Sequence, residues 1–161
     1  KTGKRVLVRK NYPQTDIDYW FEGPGAGCSQ VFSVKTFSEF REFIIENWFK
    51  IQDIRYHDWL TYAFVRHKGL SWHISNSPDL DYIQHSSNEI GANSGIRAFL
   101  KRIKMLKSGW YRNQVNLIHD VVTGHSNDFF CLSYISKHSF KIRRKKTHAI
   151  FLSIAIIFRV V

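Results

Sequence analysis

Side chains that can bind polar ligands or move protons are concentrated in the middle of this sequence. Asp58 follows His57 at the start of an apolar run with helical periodicity. Gln84 and His85 end a strand-like run, and Asn88 lies in the polar loop that follows. Carboxylate and imidazole groups accept protons from hydroxyls, and amides bind oxygen-rich ligands. Their position at the ends of predicted elements is typical of working groups that loops present to a cleft.

Asp58 is the best candidate for a general base, and it also has a simpler explanation. A carboxylate within hydrogen-bond reach of an acceptor hydroxyl can take its proton as that oxygen attacks. An Asp in the first turn of a helix can equally cap the helix and complement its dipole. His57 could orient Asp58 or make a structural hydrogen bond of its own. For Asp58, the residues alone favour the capping role over that of a base.

The elements around these residues are predicted to be mixed helices and short strands. Thr36 and Glu39 form a capping box that is expected to open the first helix, and Gly69 has the position of a C-terminal cap for the second. We therefore predict an α/β fold in which a mixed short sheet has flanking helices, with further helices at the C-terminus. The predicted strands cover residues 30–34, 70–74 and 80–85, and the predicted helices cover residues 36–49, 56–67, 96–107 and 110–122.

Composition limits the class of protein. The chain has 161 residues, of which 43% are hydrophobic, so it can bury a core and is not a disordered protein. Its 24 Lys and Arg against 13 Asp and Glu give a net charge of +11, which favours anionic partners. Cys28 and Cys131 lack the spacing of a disulfide framework or a zinc site. The first 20 residues contain no apolar signal segment, which is typical of a protein on the cytosolic side.

The C-terminal part has a different character, and we divide the chain into residues 1–124 and a tail of residues 125–161. Residues 149–161 are apolar except for a serine and an arginine. They are shorter than the roughly 20 residues that span a bilayer as a helix. A basic segment before a short apolar helix predicts peripheral binding to an anionic membrane. The alternative is a helix that packs on the domain after a solvated basic linker. The basic side chains are Lys137, Lys141, Arg143, Arg144, Lys145 and Lys146.

Four separated segments together resemble the C-terminal half of a family 2 glycosyltransferase. They are EGPGAGCSQVFS at residues 22–33, HDW at 57–59, YIQHSSNEIGAN at 82–93 and GWYRNQV at 109–115. The closest subgroup is similar to the rhamnosyltransferases that build bacterial O-antigen and other surface polysaccharides, including lipopolysaccharide. The four segments occur in the family's order, and the resemblance spans roughly residues 20–115.

This resemblance implies a partial GT-A fold, a Rossmann-like nucleotide-diphospho-sugar transferase domain of which the chain is the acceptor-side half. The implied reaction is inverting transfer of a sugar such as rhamnose from a nucleotide-sugar donor to a lipid-linked oligosaccharide. It would take place at the cytoplasmic face of the bacterial inner membrane, where the protein is peripheral. Because the nucleotide-binding half precedes this region in the family, we expect the chain to be a fragment that is inactive alone.

The resemblance also assigns roles to individual residues. Asp58 matches the family's general base, with His57 beside it to orient it or to contact the donor phosphates. Two departures weaken the match, because Leu60 stands where the family often has an aromatic residue and Ile83 where it commonly has Arg. The substrate-binding candidates are Gln84 and His85 for the diphosphate, Asn88 for sugar hydroxyls, Trp59 for stacking on a sugar, and Gly25 and Gly27 for the acceptor side of the cleft.

A metal is expected for the whole enzyme, and its ligands are difficult to identify in this chain. Asp16 and Asp18 have the form of the DxD signature with which many glycosyltransferases bind a divalent cation, Mg²⁺ or Mn²⁺. The family's signature ends a buried strand, whereas the residues before Asp16 are typical of a solvated loop. We therefore expect most of the metal ligands in the nucleotide-binding half.

A basic nucleic-acid-binding module without catalysis is the alternative function. The net charge and the 16% aromatic residues favour it. The aromatic residues lie mostly on helical core stripes, however, and the basic residues gather elsewhere. No RNP, KH or zinc-finger pattern is present. We therefore expect a sugar donor, a glycan acceptor and a membrane surface as partners, and no nucleic acid.

Overall fold

The protein is helical in the residues that the structure describes. That structure, a computed structural model, describes residues 7–77, 80–81, 103–126 and 129–157. Two short 3-10 turns, Asp18–Trp20 and Gly27–Ser29, precede the helices. Residues 103–107 are also helical. The longer elements are α1 (Val34–Glu46), α2 (His57–His67), α3 (Trp110–Thr123), α4 (Leu132–Lys137) and α5 (Lys146–Ile157).

Helix α2 is the centre of the fold. Every residue from 59 to 65 is buried, as expected for a run that is apolar on all sides. The helix ends in a Schellman motif: Gly69 has a φ of 71° and donates its N–H to Arg66, and Leu70 donates to the carbonyl of Val65 at 3.1 Å. The predictions of a helix over residues 56–67 and of a glycine cap at its end are confirmed.

Helix α3 packs across α2 and closes the core. The Trp59 ring stacks on the Tyr111 ring with the two centroids 5.9 Å apart. Val115 and Ile118 follow on the same face of α3 and are fully buried. Burying one large aliphatic or aromatic side chain contributes roughly 1.5–3 kcal/mol. The core thus rests on two helices that the sequence pattern predicted, since α3 matches the expected helix over residues 110–122.

Segments from both ends of the chain complete the same core. Phe21 comes from the N-terminal part, and Phe130, Ile135, Ile142 and Leu152 come from the tail; all are nearly inaccessible. The core therefore includes residues on both sides of the boundary that we predicted at residue 124. The membrane-binding role of the tail stays a prediction. Among the residues described, no helix is long and apolar enough to cross a bilayer.

The start of α1 was predicted wrongly. Ser33, not Thr36, caps this helix, because the Ser33 Oγ accepts the backbone N–H of Thr36 at 3.2 Å. Ser33 has the extended conformation of a cap residue, which places Thr36 inside the first turn and Glu39 in the second. The helix also ends at Glu46, before the expected end at residue 49.

Helix α1 packs with one face only. Phe40 and Phe43 contact the Phe64 ring of α2, with centroid distances of 5.3 and 4.8 Å. The helix contains no buried residue. Large apolar side chains on and beside it face solvent, namely Val31, Val34, Phe37, Ile45, Trp48 and Phe49.

The predicted strands are the main error in the fold class, because the described residues contain no strand. Residues 30–33 and 70–74 are irregular, and residues 80–81 are the only described part of the third predicted strand. Two aromatic side chains of these runs still pack inward: the Trp72 ring meets Phe32 and Tyr62 edge-on at 5.7 and 5.2 Å. A short apolar run in a packed loop has the same composition as a strand. The expected mixed sheet is therefore not observed, and most of the predicted helix over residues 96–107 lies outside the described residues.

The tail is attached to the N-terminal part by buried charges. The Arg144 backbone N–H donates to Glu22 Oε1 at 2.6 Å, and its guanidinium donates to the carbonyl of Gly23 at 2.5 Å. Its Nε lies 3.3 Å from Asp18 Oδ2, where both side chains are almost fully buried. Arg143 also approaches Glu22, at 3.8 Å. The segment before α5 is therefore not simply a solvated basic linker, since two of its arginines are used in packing.

Candidate functional site

Asp58 lies in the first turn of α2, where it can both support the helix and face solvent. Tyr56 is the cap residue and its side chain makes no capping hydrogen bond. Asp58 Oδ1 accepts the backbone N–H of Trp59 at 3.0 Å, and the same N–H also donates to the carbonyl of Tyr56 at 3.2 Å. The Asp58 residue is only partly buried. One carboxylate oxygen thus has a structural partner while the group remains accessible.

The environment of Asp58 increases its affinity for a proton. Burial raises the pKa of Asp58 above its ordinary value of 3.8, and the Trp59 N–H, His57 and Lys10 partly oppose this shift. A carboxylate with a raised pKa is a stronger base than one on an open surface. This is the electrostatic property expected of a group that accepts a proton from a hydroxyl.

The glycine-rich loop packs against the same helix start. A Cβ atom on Gly23 would lie 3.4 Å from the Cβ of Trp59, and one on Gly27 would lie 2.4 Å from His57 Nε2. Farther along, Gln30 Nε2 donates to the backbone carbonyl of Asp58 at 3.2 Å. Gly27 therefore has no space for a Cβ atom while the His57 ring keeps its position, whereas a Cβ atom on Gly23 would make an ordinary van der Waals contact. The structure places Gly27 against the residue next to Asp58, as expected if Gly27, His57 and Asp58 belong to one site.

Lys10 is a member of the site that the sequence did not reveal. Its charge lowers the pKa of Asp58, and its Cγ would lie 3.9 Å from a Cβ atom on Gly25. Gly25 has a φ of 157° and is half-buried. Lys10 stands in a basic stretch without periodicity, so no local pattern separates it from its neighbours. Only the folded chain brings this cation within electrostatic range of Asp58.

Trp59 has a structural role. Its ring is 4% exposed, and its Nε1 donates to the carbonyl of Tyr19 at 2.9 Å. With one face stacked on Tyr111, the ring belongs to the core rather than to the surface beside Asp58. The other three candidates, Gln84, His85 and Asn88, lie outside the described residues.

The comparison with known proteins gives the chain a relative along its whole length. It is 36% identical to the dTDP-rhamnosyl transferase RfbG of Shigella flexneri over 166 aligned residues, which cover 99% of this chain. The predicted resemblance to rhamnosyltransferase-like glycosyltransferases is confirmed. The chain spans 57% of the length of that relative and aligns with its C-terminal part. No protein-family model and no solved structure matches the chain.

The DxD-like pair of Asp16 and Asp18 does not fit a metal site. Asp18 is fully buried and accepts a hydrogen bond from the Tyr62 hydroxyl at 2.7 Å, with Arg66 and Arg144 nearby. The Asp16 side chain is 80% exposed and pairs with Lys141. The two carboxylates therefore do not share a site, and within the described ranges no cluster of three or more His, Cys, Asp or Glu side chains could hold a metal.

Proposed function

We propose that this chain forms the acceptor-side part of a glycosyltransferase that transfers rhamnose from dTDP-rhamnose to a glycan. The observation that carries the proposal is the 36% identity to a dTDP-rhamnosyl transferase along 99% of the chain. The surroundings of Asp58 support it independently, because the residue is only partly buried and burial raises its pKa. The partial GT-A fold that such an enzyme implies is part of the same proposal.

The proposed reaction is a single displacement with Asp58 as general base. The acceptor hydroxyl oxygen forms a bond to the anomeric carbon of the donor as the bond from that carbon to the diphosphate breaks. The hydroxyl proton passes to a carboxylate oxygen of Asp58, and the electron pair of the broken bond leaves with dTDP. Attack opposite to the leaving group inverts the anomeric centre. A divalent cation, when bound, would stabilise charge on the departing diphosphate.

The proposed acceptor is a lipid-linked oligosaccharide at the cytoplasmic face of the bacterial inner membrane. Helix α5 buries Ala149 and Leu152, whereas Lys146, Ile150 and Ile154 are exposed at a spacing of four residues. Positions four apart lie on one face of a helix. A cation followed by two apolar side chains suits an anionic lipid surface. This face would hold the protein near an acceptor that is anchored in the bilayer.

The arrangement of charges also favours a glycan over nucleic acid. Nucleic-acid binding requires exposed cations along a surface that can follow the phosphates. Here Arg66, Arg143 and Arg144 contact buried carboxylates or backbone carbonyls. These arginines contribute to the net charge and are used inside the fold, so nucleic acid is not part of the proposal.

The decisive experiment compares the Asp58→Asn and Asp53→Asn variants of the natural protein that contains this chain. Turnover is measured as transfer of labelled rhamnose from dTDP-rhamnose to isolated bacterial membranes. Asp58→Asn should lower turnover by about 10²- to 10⁴-fold, the usual contribution of a general base. Asp53 is exposed, and its variant should retain turnover within about twofold. Wild-type turnover in a folded Asp58→Asn variant would exclude the proposed base.

A further inference from the structure

A groove of about 380 Å³ lies between residues 11–14 and residues 72–76. This volume is in the range of small-molecule sites, roughly 300–1,000 Å³. Asp58 is not among the groove's lining residues, so the groove is separate from the proposed base. Its chemically useful lining consists of Asn11, Tyr12, Trp72, His73 and Asn76.

The two walls of the groove are held together by side-chain hydrogen bonds. Asn11 Nδ2 donates to Asn76 Oδ1 across the groove. Gln14 Nε2 donates to the Trp72 carbonyl at 2.6 Å, and Gln14 Oε1 accepts from Arg66 at 2.6 Å. A site whose walls are already fixed loses less conformational freedom when a ligand binds. The groove is therefore preorganised rather than an incidental gap between loops.

The lining has the chemistry that recognises a saccharide. Tyr12 and Trp72 supply apolar surface for the C–H faces of a sugar ring, and each is half-buried. Amide and imidazole groups donate to and accept from hydroxyls, and Asn11, His73 and Asn76 supply them here. Tyr12 itself is fixed by the cationic groups of Arg9 and Lys145, which lie 5.6 and 5.7 Å from its ring centroid.

Two separate segments connect the groove to Asp58. Lys10 acts on the Asp58 carboxylate, and the next residue, Asn11, lines the groove. Gln30 contacts the Asp58 carbonyl, and two residues later the Phe32 ring meets Trp72. Two residues of extended chain span at most about 7 Å. The groove and Asp58 therefore belong to adjoining parts of the fold.

We propose that this groove binds the acceptor sugar next to the one whose hydroxyl Asp58 deprotonates. The inference rests on the proposed function, because it assigns the groove to the acceptor of that reaction. It adds a specificity site: an acceptor of several sugars fills both the groove and the region at Asp58, whereas a single sugar fills only the latter.

The test uses a double variant, His73→Ala with Asn76→Ala, and a rhamnose trisaccharide and methyl rhamnoside as probes. Binding of each probe to the natural protein that contains this chain is measured by saturation-transfer NMR. The KM of each probe as an acceptor is measured as well. We expect the double variant to weaken trisaccharide binding and to raise the KM of the trisaccharide at least about tenfold, which is 1.4 kcal/mol. The KM of methyl rhamnoside should stay unchanged. His125→Ala, at an exposed histidine away from the groove lining, should alter neither probe.

The outcomes separate this inference from the proposed function. If Asp58→Asn is inactive and the double variant binds the trisaccharide like the wild type, the groove inference is wrong and the function stands. If the double variant loses trisaccharide binding and Asp58→Asn remains active, the groove stands and the proposed base is wrong. Equal loss for both probes, or no trisaccharide binding by the wild type, would also overturn the groove inference.

Discussion

Gly27 contacts His57 so closely that a Cβ atom on the glycine would lie 2.4 Å from the imidazole Nε2. Non-bonded atoms do not approach to that distance, so a glycine is required while the ring keeps its position. The contact joins the glycine-rich loop to the first turn of α2. It places the loop against the residue that precedes Asp58.

Gly27→Ala should move His57 without unfolding the protein. The imidazole is exposed and can rotate away, so the free energy of unfolding should change by less than about 1 kcal/mol. The His57 ring resonances in an NMR spectrum should shift, and transfer should weaken. Gly69→Ala is the contrasting control. Gly69 has open space around it but a φ of 71°, so the variant should lower the free energy of unfolding by about 1 kcal/mol and leave the His57 resonances in place. Unchanged His57 resonances in Gly27→Ala would contradict the contact.

Arg144→Met should be strongly destabilising. The variant removes a cation 3.3 Å from Asp18 Oδ2 in the interior, and breaking a buried ion pair costs about 3–5 kcal/mol. Burial raises the pKa of Asp18 and Arg144 opposes that shift. The loss should therefore be largest at neutral pH and smaller near pH 3.8, where Asp18 is protonated in both variant and wild type.

The control for this prediction is Lys141→Met. Lys141 pairs with Asp16 at 3.4 Å on the surface, where both side chains are more than half exposed. Such pairs contribute little, so urea unfolding should show a change within about 0.5 kcal/mol. Equal losses for the two variants would show that Arg144 does not stabilise the fold through Asp18.

The pH dependence of transfer should report on Asp58. Its base form is required, and burial raises its pKa; kcat/KM should therefore fall as the pH drops through a value above 3.8. Lys10 lowers this pKa, so Lys10→Gln should move the acidic limb of the pH profile to higher pH. Lys35→Gln, at an exposed position on α1, should leave the limb in place. An identical limb in Lys10→Gln and wild type would refute the assignment.

The stability of the fold should decrease on mild acidification because of His119. Its ring stacks on Phe129 with the centroids 4.0 Å apart, and burial lowers its pKa below 6.5, although Asp120 opposes the shift. The unfolded chain then binds the proton first. The stability contribution is complete above pH 6.5 and is lost as the pH falls through 6.5 towards the folded-state pKa.

His119→Gln should make the dependence of stability on pH shallower between pH 7 and 5. Thermal unfolding at several pH values measures this directly. Some slope should remain, because burial also lowers the pKa of His67. His73→Gln changes an exposed ring elsewhere in the fold and should preserve the wild-type slope. A wild-type slope in His119→Gln would contradict the prediction.

The helices that form the core were predictable, and the irregular segments were not. Helices α2 and α3 have apolar residues at helical spacing, and Gly69 ends α2 as its position predicts. Residues 30–34 and 70–74 have the composition of strands, but Phe32 and Trp72 pack inward from loops instead. Local sequence could not reveal this, because the decision depends on which aromatic side chains meet across the fold.

The candidate site shows the same division. Asp58 and His57 could be predicted because they belong to one local motif at a helix start. The contribution of Lys10 could not be predicted, since only folding brings its charge within range of Asp58. The structural role of Asp18 was equally hidden, because its partners Tyr62 and Arg144 lie far away in the sequence. Short-range patterns thus identified the proposed base and not the charges that tune it.

Arg144 holds the tail against the N-terminal part of the chain through Asp18, Glu22 and Gly23, and this limits how the tail can be studied. Shortening the protein from its carboxyl end past this residue would leave Asp18 ionised in the interior, and the resulting collapse would mimic loss of lipid binding. Charge reversal at exposed Lys141 and Lys146 avoids that confusion. Because Arg144 precedes the start of α5 by two residues, its contacts with Asp18, Glu22 and Gly23 also anchor that helix to the part of the chain that leads into the glycine-rich loop.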